Sequence, residues 1–176
     1  MPAKTQTPDW PAAIHRQLQA WGVRQVAHVP DAGHARLLQL CGADKAMRVV
    51  PLTTEEEGVA LLSGAWLGGE RGVLLMQSSG VGNCINMLSL PRTCRLPLLA
   101  LVTMRGEWGE FNPWQVPMGG ATKPALELAG VTCFRVETPG EAEPTVAAAA
   151  RMAFEGPSAT AVLLAQKLIG VKTFGK

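Results

Sequence analysis

The sequence lacks the features that mark nucleic-acid-binding and membrane proteins. Its net charge is only +2 and its basic residues are scattered, so no basic patch is visible. Its apolar runs reach at most about ten residues, whereas roughly 20 are needed to span a bilayer. The N-terminal residues show no basic segment followed by an apolar one. We therefore expect a cytoplasmic protein with no nucleic-acid or membrane partner.

Cysteine is also scarce, and no two cysteines have C-x-x-C spacing. The four are Cys41, Cys84, Cys94 and Cys133. Without a secretory context, this spacing disfavours a disulfide framework or a zinc site, so we predict no metal ligand in this chain. Cys84 lies at a predicted helix start, where a thiol pKa can be lowered. We interpret it as a buried, inert thiol, with a reactive thiol as the alternative.

Apolar residues, in contrast, are abundant. They make up 47% of the 176 residues, and only 17% are charged. This composition suits one folded α/β domain with a substantial core. Because no repeat, low-complexity tract or linker interrupts the pattern, we predict a single domain over 1–176.

Short apolar runs alternate with helical segments along the chain. Strands are predicted at residues 23–29, 47–50, 72–77, 96–103, 131–136 and 159–164. Helices are predicted at residues 9–21, 35–41, 55–67, 83–90, 122–129 and 140–155. This order predicts a doubly wound, three-layer α/β sandwich around a six-stranded parallel sheet. Ligands of such sheets bind outside the carboxyl ends of the strands, where the turns near residues 30, 53, 78 and 105–117 should converge.

The densest pattern covers residues 53–89. Thr54 is a good helix cap, and the three glutamates that follow suit the positive end of the helix dipole. The strand at 72–77 leads into Gln77-Ser78-Ser79-Gly80-Val81-Gly82-Asn83, where two glycines predict a tight turn close to a ligand. A dinucleotide-binding motif would need a third glycine at Ile85, and no phosphate-binding loop with Gly-Lys-Ser or Gly-Lys-Thr is present. A turn that only packs helix against sheet is the alternative.

The segment 104–121 reads as the longest irregular stretch. It contains four glycines, two prolines and two tryptophans. Long loops in compact domains are usually functional or disordered, and the aromatic residues argue against disorder. We interpret the segment as a lid or a partner-contacting loop. Trp108 and Trp114 could contact another subunit or pack back onto the domain.

Taken together, these motifs resemble thiamine-diphosphate-dependent decarboxylases. The motifs are Val29-Pro30-Asp31, Thr54-Glu55-Glu56-Glu57-Gly58, Gly64-Ala65-Trp66-Leu67-Gly68-Gly69, Met76 to Asn83, Arg105-Gly106-Glu107 and Gln115-Val116-Pro117-Met118-Gly119. Their order and spacing are similar to the pyrimidine-binding domain of the sulfopyruvate and phosphonopyruvate decarboxylases. The resemblance implies a subunit that decarboxylates a 2-oxo acid with thiamine diphosphate. A carboligase or synthase subunit and a non-catalytic scaffold are the alternatives.

The resemblance assigns the central catalytic role to Glu55. In this family one glutamate protonates the pyrimidine ring of the cofactor, and the spacing of nine residues to Gly64 matches Glu55 to it. Successive helical residues point about 100° apart, so Glu56 and Glu57 should face elsewhere. From the residues alone, all three could simply complement the helix dipole.

The resemblance also implies contacts to the cofactor and the substrate. Implied cofactor-binding residues are Pro30, Glu55, Ser79, Gly80, Gly82 and Asn83. Implied substrate-binding residues are Asp31, Gln115 and Arg105. Asp31 could instead be an ordinary helix cap, and Arg105 could be an ion-pair partner of Glu107. Related enzymes often have a serine soon after the proline, but this chain has Ala32 and Gly33 there. His34 could take over the contact of that serine, or it could be a solvated capping residue.

The chain lacks the Gly-Asp-Gly motif with which this family binds diphosphate and magnesium. The resemblance therefore implies a separately encoded beta subunit that carries the diphosphate-binding domain and holds the magnesium. We expect the isolated chain to be inactive and to associate with further copies of itself as well as with the beta subunit.

Overall fold

The computed structural model describes residues 9–171 and confirms the predicted sheet. The strands are β1 (Val23–His28), β2 (Arg48–Pro51), β3 (Arg71–Gln77), β4 (Leu98–Thr103), β5 (Thr132–Val136) and β6 (Ala159–Leu164). They form one sheet in the order β2-β1-β3-β4-β6-β5, and every neighbouring pair is parallel. All the carboxyl ends of the strands therefore lie at one edge.

Helices cover both faces of the sheet. The helices are α1 (Trp10–Ala20), α2 (Ala35–Ala43), α3 (Glu55–Leu67), α4 (Ser78–Cys84), α5 (Ser89–Cys94), α6 (Val116–Leu128), α7 (Ala142–Glu155) and α8 (Gln166–Ile169). Short 3-10 turns at Ala32–His34, Pro113–Gln115 and Pro139–Glu141 precede α2, α6 and α7. No helix within residues 9–171 is long and apolar enough to cross a bilayer.

The core consists of two apolar layers separated by the sheet. Alternate residues of β3 point to opposite faces, so Val73 and Leu75 join one layer while Leu74 and Met76 join the other. The first layer packs against α1 and α7, and the second packs against α3, α4 and α6. The central strands β3 and β4 are buried on both faces, which explains why their sequences are continuous apolar runs.

Several predicted helix boundaries are wrong, and glycine and proline explain the errors. No helix spans 83–90: Pro91 does not end a helix but lies in the first turn of α5, where its missing amide hydrogen costs no helical bond. Helix α2 runs through Gly42 to Ala43. Helix α6 starts at Val116 rather than at residue 122, because Pro117 is tolerated at a helix start.

Candidate functional site

Glu55 is a buried carboxylate at the start of α3. Only 7% of the residue is exposed, whereas Glu56 and Glu57 are exposed. Its Oε2 accepts a hydrogen bond from Asn83 Nδ2 at 2.8 Å. The Glu57 carboxylate instead accepts the Thr53 amide at 2.8 Å. Of the three adjacent glutamates, Glu55 is thus the one that faces the interior.

Gly80 makes room for the Glu55 side chain. A Cβ atom at this position would overlap the Glu55 carboxylate. The predicted turn at Gly80-Val81-Gly82 is wrong, because α4 begins directly after β3 and both glycines are helical, without a positive φ. A Cβ on Gly82 would only touch Met118, at 3.6 Å. The glycine at position 80 therefore serves close packing rather than a turn.

Cys84 closes α4 rather than opening a helix. The thiol is buried, and this burial raises its pKa to about 12. The prediction of a buried thiol is confirmed, and the raised pKa disfavours the thiolate, which is the reactive form.

Asp31 lies at the carboxyl end of β1 and is held by three donors. Its Oδ2 accepts Thr103 Oγ1 at 2.6 Å and the Gly33 amide at 3.1 Å. Its Oδ1 accepts Gln77 Nε2 at 2.8 Å. Asp31 also caps the 3-10 turn Ala32–His34. The capping role predicted as an alternative is therefore present, and it does not remove Asp31 from the candidate site. The neighbouring Pro30 is exposed.

A small polar cavity of about 100 Å³ adjoins Asp31. Its lining residues are Asp31, Ala32, Gly33, Arg105, Ile169, Gly170 and Val171. Gly33 has no room for a side chain, because a Cβ atom would lie 2.8 Å from both Asp31 Oδ2 and Thr103 Cγ2. The structure thus brings Asp31 and Arg105 to one cavity.

The interpretation of His34 as a solvated capping residue is wrong. The residue is fully buried beneath the Asp31 loop, and its Nε2 lies 3.3 Å from the Met76 carbonyl and 3.1 Å from the Leu101 carbonyl. Carbonyl oxygens only accept, so Nε2 carries the proton. Burial lowers the pKa of His34, which keeps the ring neutral. Through Nε2, His34 fastens the loop to β3 and β4, while its buried Nδ1 has no hydrogen-bond partner within residues 9–171.

Arg105 forms a buried ion pair, but its partner is Glu110 and not Glu107. Its Nε and one terminal nitrogen donate to the two Glu110 oxygens at 2.6 and 2.7 Å, and the two side chains are 5% and 3% exposed. Glu107 instead pairs with Arg135 at 2.8 Å. The charge of Arg105 is therefore neutralised where it meets the cavity beside Asp31.

The segment after β4 is a loop that hydrogen bonds from Gln166 hold in place, followed by a helix. Only residues 104–112 are irregular. Gln166 is fully buried, its Oε1 accepts the amides of Glu107 and Trp108, and its Nε2 donates to Glu110 at 2.9 Å. Sequence analysis missed Glu110 and Gln166, because nothing local distinguishes them from solvated polar residues.

Gln115 lies in the 3-10 turn before α6. Its Oε1 is buried and accepts no hydrogen bond from residues 9–171. The backbone around it is tightly packed, since a Cβ on Gly106 would overlap the Gln115 carbonyl group. Gln115 thus holds a buried acceptor without a donor, which is rare in folded proteins and marks candidate ligand contacts.

A groove of about 590 Å³ runs between α4 and the start of α6. Its lining residues are Ser79, Asn83, Pro113, Trp114, Pro117 and Met118. Trp114 is 83% exposed, so the groove has an apolar, open wall. Asn83 both lines the groove and binds Glu55, so the buried carboxylate is linked to the groove.

The structure divides the predicted residues between two cavities. Ser79 and Asn83 line the groove, with Glu55 and Gly80 directly behind Asn83. Asp31 and Arg105 line the smaller cavity. Gln77 and Thr103, which the sequence analysis did not single out, join Asp31; both end a strand, which is the signal that could have identified them.

Comparison with known proteins identifies close relatives over nearly the whole chain. A sulfopyruvate decarboxylase subunit alpha from Methanococcus maripaludis is 36% identical over 153 residues, which is 86% of this chain and 92% of that protein. The subunit of the same name from Methanothermobacter thermautotrophicus is 34% identical over 157 residues, 89% of this chain and 95% of that protein. A phosphonopyruvate decarboxylase from Streptomyces viridochromogenes is 39% identical over 113 residues, 63% of this chain and 28% of that protein. No family model matches the chain.

The parallel sheet and the polar residues at its carboxyl edge define the class: a doubly wound α/β protein with its candidate site where such sheets bind ligands. The sequence similarity to the alpha subunits also shows the family. The chain belongs to the family of sulfopyruvate decarboxylase alpha subunits.

Proposed function

We propose that this chain is the alpha subunit of a thiamine-diphosphate-dependent decarboxylase that acts on sulfopyruvate or phosphonopyruvate. One observation carries the proposal: a single glutamate, Glu55, is buried at a helix start and fixed by Asn83 beside an open groove. The names of the relatives support the substrate class.

The residues around the groove fit one half of this cofactor, its aminopyrimidine ring. A flat ring needs apolar walls, and Pro113, Trp114 and Met118 supply them. A ring nitrogen that is to be protonated needs one carboxyl group, which Glu55 would provide. Ser79 and Asn83 add polar groups on the α4 side of the groove.

The other half of the cofactor is its diphosphate, which is accompanied by magnesium. Within the described part of the chain, no three carboxylate, histidine or cysteine side chains cluster as metal ligands. We therefore assign the diphosphate and the magnesium to a separate beta subunit. The exposed Trp114 and Val116 beside the groove suit a surface that such a partner covers.

Each site residue of this chain would have one limited task in the reaction. When bound, thiamine diphosphate would supply an electron sink for the electron pair that stays on the substrate when carbon dioxide leaves. Glu55 would hold a proton at its carboxyl group for the ring nitrogen, and Asn83 keeps that group oriented. Gln115 would accept a hydrogen bond through its buried Oε1 from the cofactor's amino group or from a bound water, because the ionised substrate offers only acceptors. Asp31 would likewise accept one from a bound water in the smaller cavity.

The proposal is tested with the chain, its candidate beta subunit and a Glu55→Gln variant. Thiamine diphosphate with magnesium is titrated calorimetrically into the chain alone and into the mixture, and 2-oxo acid decarboxylation is then measured. We expect binding and turnover in the mixture only. Glu55→Gln should lower kcat by roughly 10²- to 10⁴-fold, the range of proton-transfer catalysis.

The matched control is Glu56→Gln, which changes the adjacent but exposed glutamate. We expect it to retain the activity of the parent. Undiminished turnover of Glu55→Gln would exclude the assigned role. Absence of binding in the mixture would favour a scaffold, and a condensed product instead of an aldehyde would favour a carboligase.

A further inference from the structure

A chain of hydrogen bonds connects the groove to the smaller cavity. Ser79 Oγ donates to Gln77 Oε1 at 3.0 Å, and Gln77 Nε2 donates to Asp31 Oδ1 at 2.8 Å. Thr103 Oγ1 donates to the other Asp31 oxygen at 2.6 Å. Ser79 lines the groove and Asp31 lines the cavity, so Gln77 lies between the two.

The orientation of the Gln77 amide is fixed by its neighbours. An ionised carboxylate only accepts, so the NH₂ group of Gln77 must face Asp31 and its oxygen must face Ser79. Rotating the amide by 180° would set an oxygen against the carboxylate. Ser79 has a single hydroxyl proton, and the amide oxygen takes it. The lone pairs of Ser79 are then left for the groove.

We propose that Gln77 is a positioning residue that fixes Ser79 and Asp31 as hydrogen-bond acceptors toward the two cavities. Asp31 has about four lone-pair directions, and its three internal donors leave one for a ligand. Each cavity therefore takes a donor group at these residues, such as a hydroxyl group, a protonated amine or water.

The charges around the smaller cavity sharpen this selectivity. Arg105 lines the cavity, but its charge is neutralised by the bidentate pair with Glu110. The Asp31 carboxylate, in contrast, has only neutral donors. The cavity consequently disfavours an anionic group, and the sulfonate or phosphonate of the proposed substrate must be bound elsewhere. This last step rests on the proposed function, whereas the positioning role does not.

The test compares Gln77→Met with the control Gln25→Met. Both replace a half-buried glutamine whose amide donates to a carboxylate, but Gln25 binds Glu70 and lines neither of the two cavities. The first measurement is hydrogen exchange of the Gly33 amide, which donates to Asp31 Oδ2. Without Gln77, Asp31 is held less firmly, and Gly33 should exchange about tenfold faster.

Hydrogen exchange in the core distinguishes a local loss of positioning from general destabilisation. The amide of Leu75, in the middle of β3, should exchange at the parental rate in Gln77→Met, whereas general destabilisation would accelerate both amides. Gln25→Met should leave Gly33 unchanged. Unaltered exchange of Gly33 in Gln77→Met, or equal acceleration of Leu75, would overturn the positioning role.

The second measurement is turnover of the assembled enzyme. We expect Gln77→Met to lower kcat/KM by about 10- to 100-fold, since small misplacements of site groups are costly, and Gln25→Met to retain parental kcat/KM. An active parent with an equally active Gln77→Met would overturn the proposal. Faster exchange at Gly33 in a protein whose parent shows no decarboxylation would support the positioning role and refute the proposed function.

Discussion

Two buried glutamates at the carboxyl edge of the sheet have opposite surroundings. Glu110 accepts two hydrogen bonds from Arg105, one each from the amides of Gly106 and Asn112, and one from Gln166. The Glu110 side chain is 3% exposed and the whole Glu55 residue 7%, yet within residues 9–171 the Glu55 carboxylate receives a single side-chain hydrogen bond, from Asn83.

This difference separates a carboxylate whose acceptor positions are filled from one that keeps some of them open. A fully satisfied group such as Glu110 has no lone pair left for a ligand, and its contribution is to hold the loop 104–112. Glu55 keeps acceptor capacity at a place where burial makes an unmet hydrogen bond costly. A carboxyl group in this state is suited to share a proton with a ligand atom such as a ring nitrogen.

The largest expected effect comes from breaking the set of hydrogen bonds around the Glu110 carboxylate, called here the Glu110 cage: those from Arg105, Gln166 and the amides of Gly106 and Asn112. Arg105→Met removes the charged partner and leaves a buried carboxylate, so it should lower the free energy of unfolding by about 3 to 5 kcal/mol, measured by urea denaturation. The control Arg151→Met removes the exposed pair with Glu155 and should cost less than about 1 kcal/mol. Equal losses in the two variants would mean that the cage is not structural.

A smaller effect, confined to activity, is expected at Glu55. Gly80→Ala places a methyl group where the Glu55 carboxylate lies, and the flexible side chain would turn away rather than unfold α4. We expect kcat/KM of the assembled enzyme to fall about 10- to 100-fold, with a change in unfolding free energy below about 1 kcal/mol.

The matched control for this variant is Gly64→Ala in the neighbouring helix. A Cβ atom at Gly64 meets no other atom within 4 Å, so the variant should be slightly stabilised and fully active. A drop in stability of several kcal/mol for Gly80→Ala, with parental activity per folded molecule, would reverse the proposed division between the two glutamates.

The sequence predicts one half of this comparison but not the other. Glu55 follows Thr54, which occupies the N-cap position without a side-chain capping bond, and lies nine residues before Gly64, so local spacing and the family resemblance both indicate it. The sheet is equally predictable, because β3 and β4 are continuous apolar runs. Glu110, in contrast, is recognised only through Arg105 and Gln166, and Gln166 is distant in sequence.

Local patterns also misassigned residues whose surroundings are decided by tertiary contacts. Gly80 predicts a turn by composition, yet its lack of a side chain is needed because the Glu55 carboxylate packs against it from another helix. His34 reads as a polar residue at a helix start, yet two carbonyl groups from β3 and β4 bind it in the interior. Neither partner is visible in a window of neighbouring residues.

The last expected effect, which is graded rather than abrupt, is the pH dependence of the Glu110 cage. The hydrogen bonds from Arg105 lower the pKa of Glu110 from 4.5 to about 2. A carboxylate with a depressed pKa stabilises the folded state above the unfolded pKa, and this stabilisation is lost as the pH falls toward the folded value. The cage should therefore contribute fully near neutral pH and progressively less between about pH 4.5 and about pH 2.

Unfolding of the parent and of Glu110→Gln across this range isolates the contribution. The amide is uncharged at every pH, so the stability difference between the two proteins should be greatest near neutral pH and shrink as Glu110 takes up its proton. One proton changes the folding equilibrium by at most about tenfold per pH unit, which sets the upper limit of the slope. A difference that stays constant down to about pH 2 would mean that Glu110 holds the loop by its shape and hydrogen bonds alone. Its distinction from Glu55 would then rest on the number of donors and not on charge.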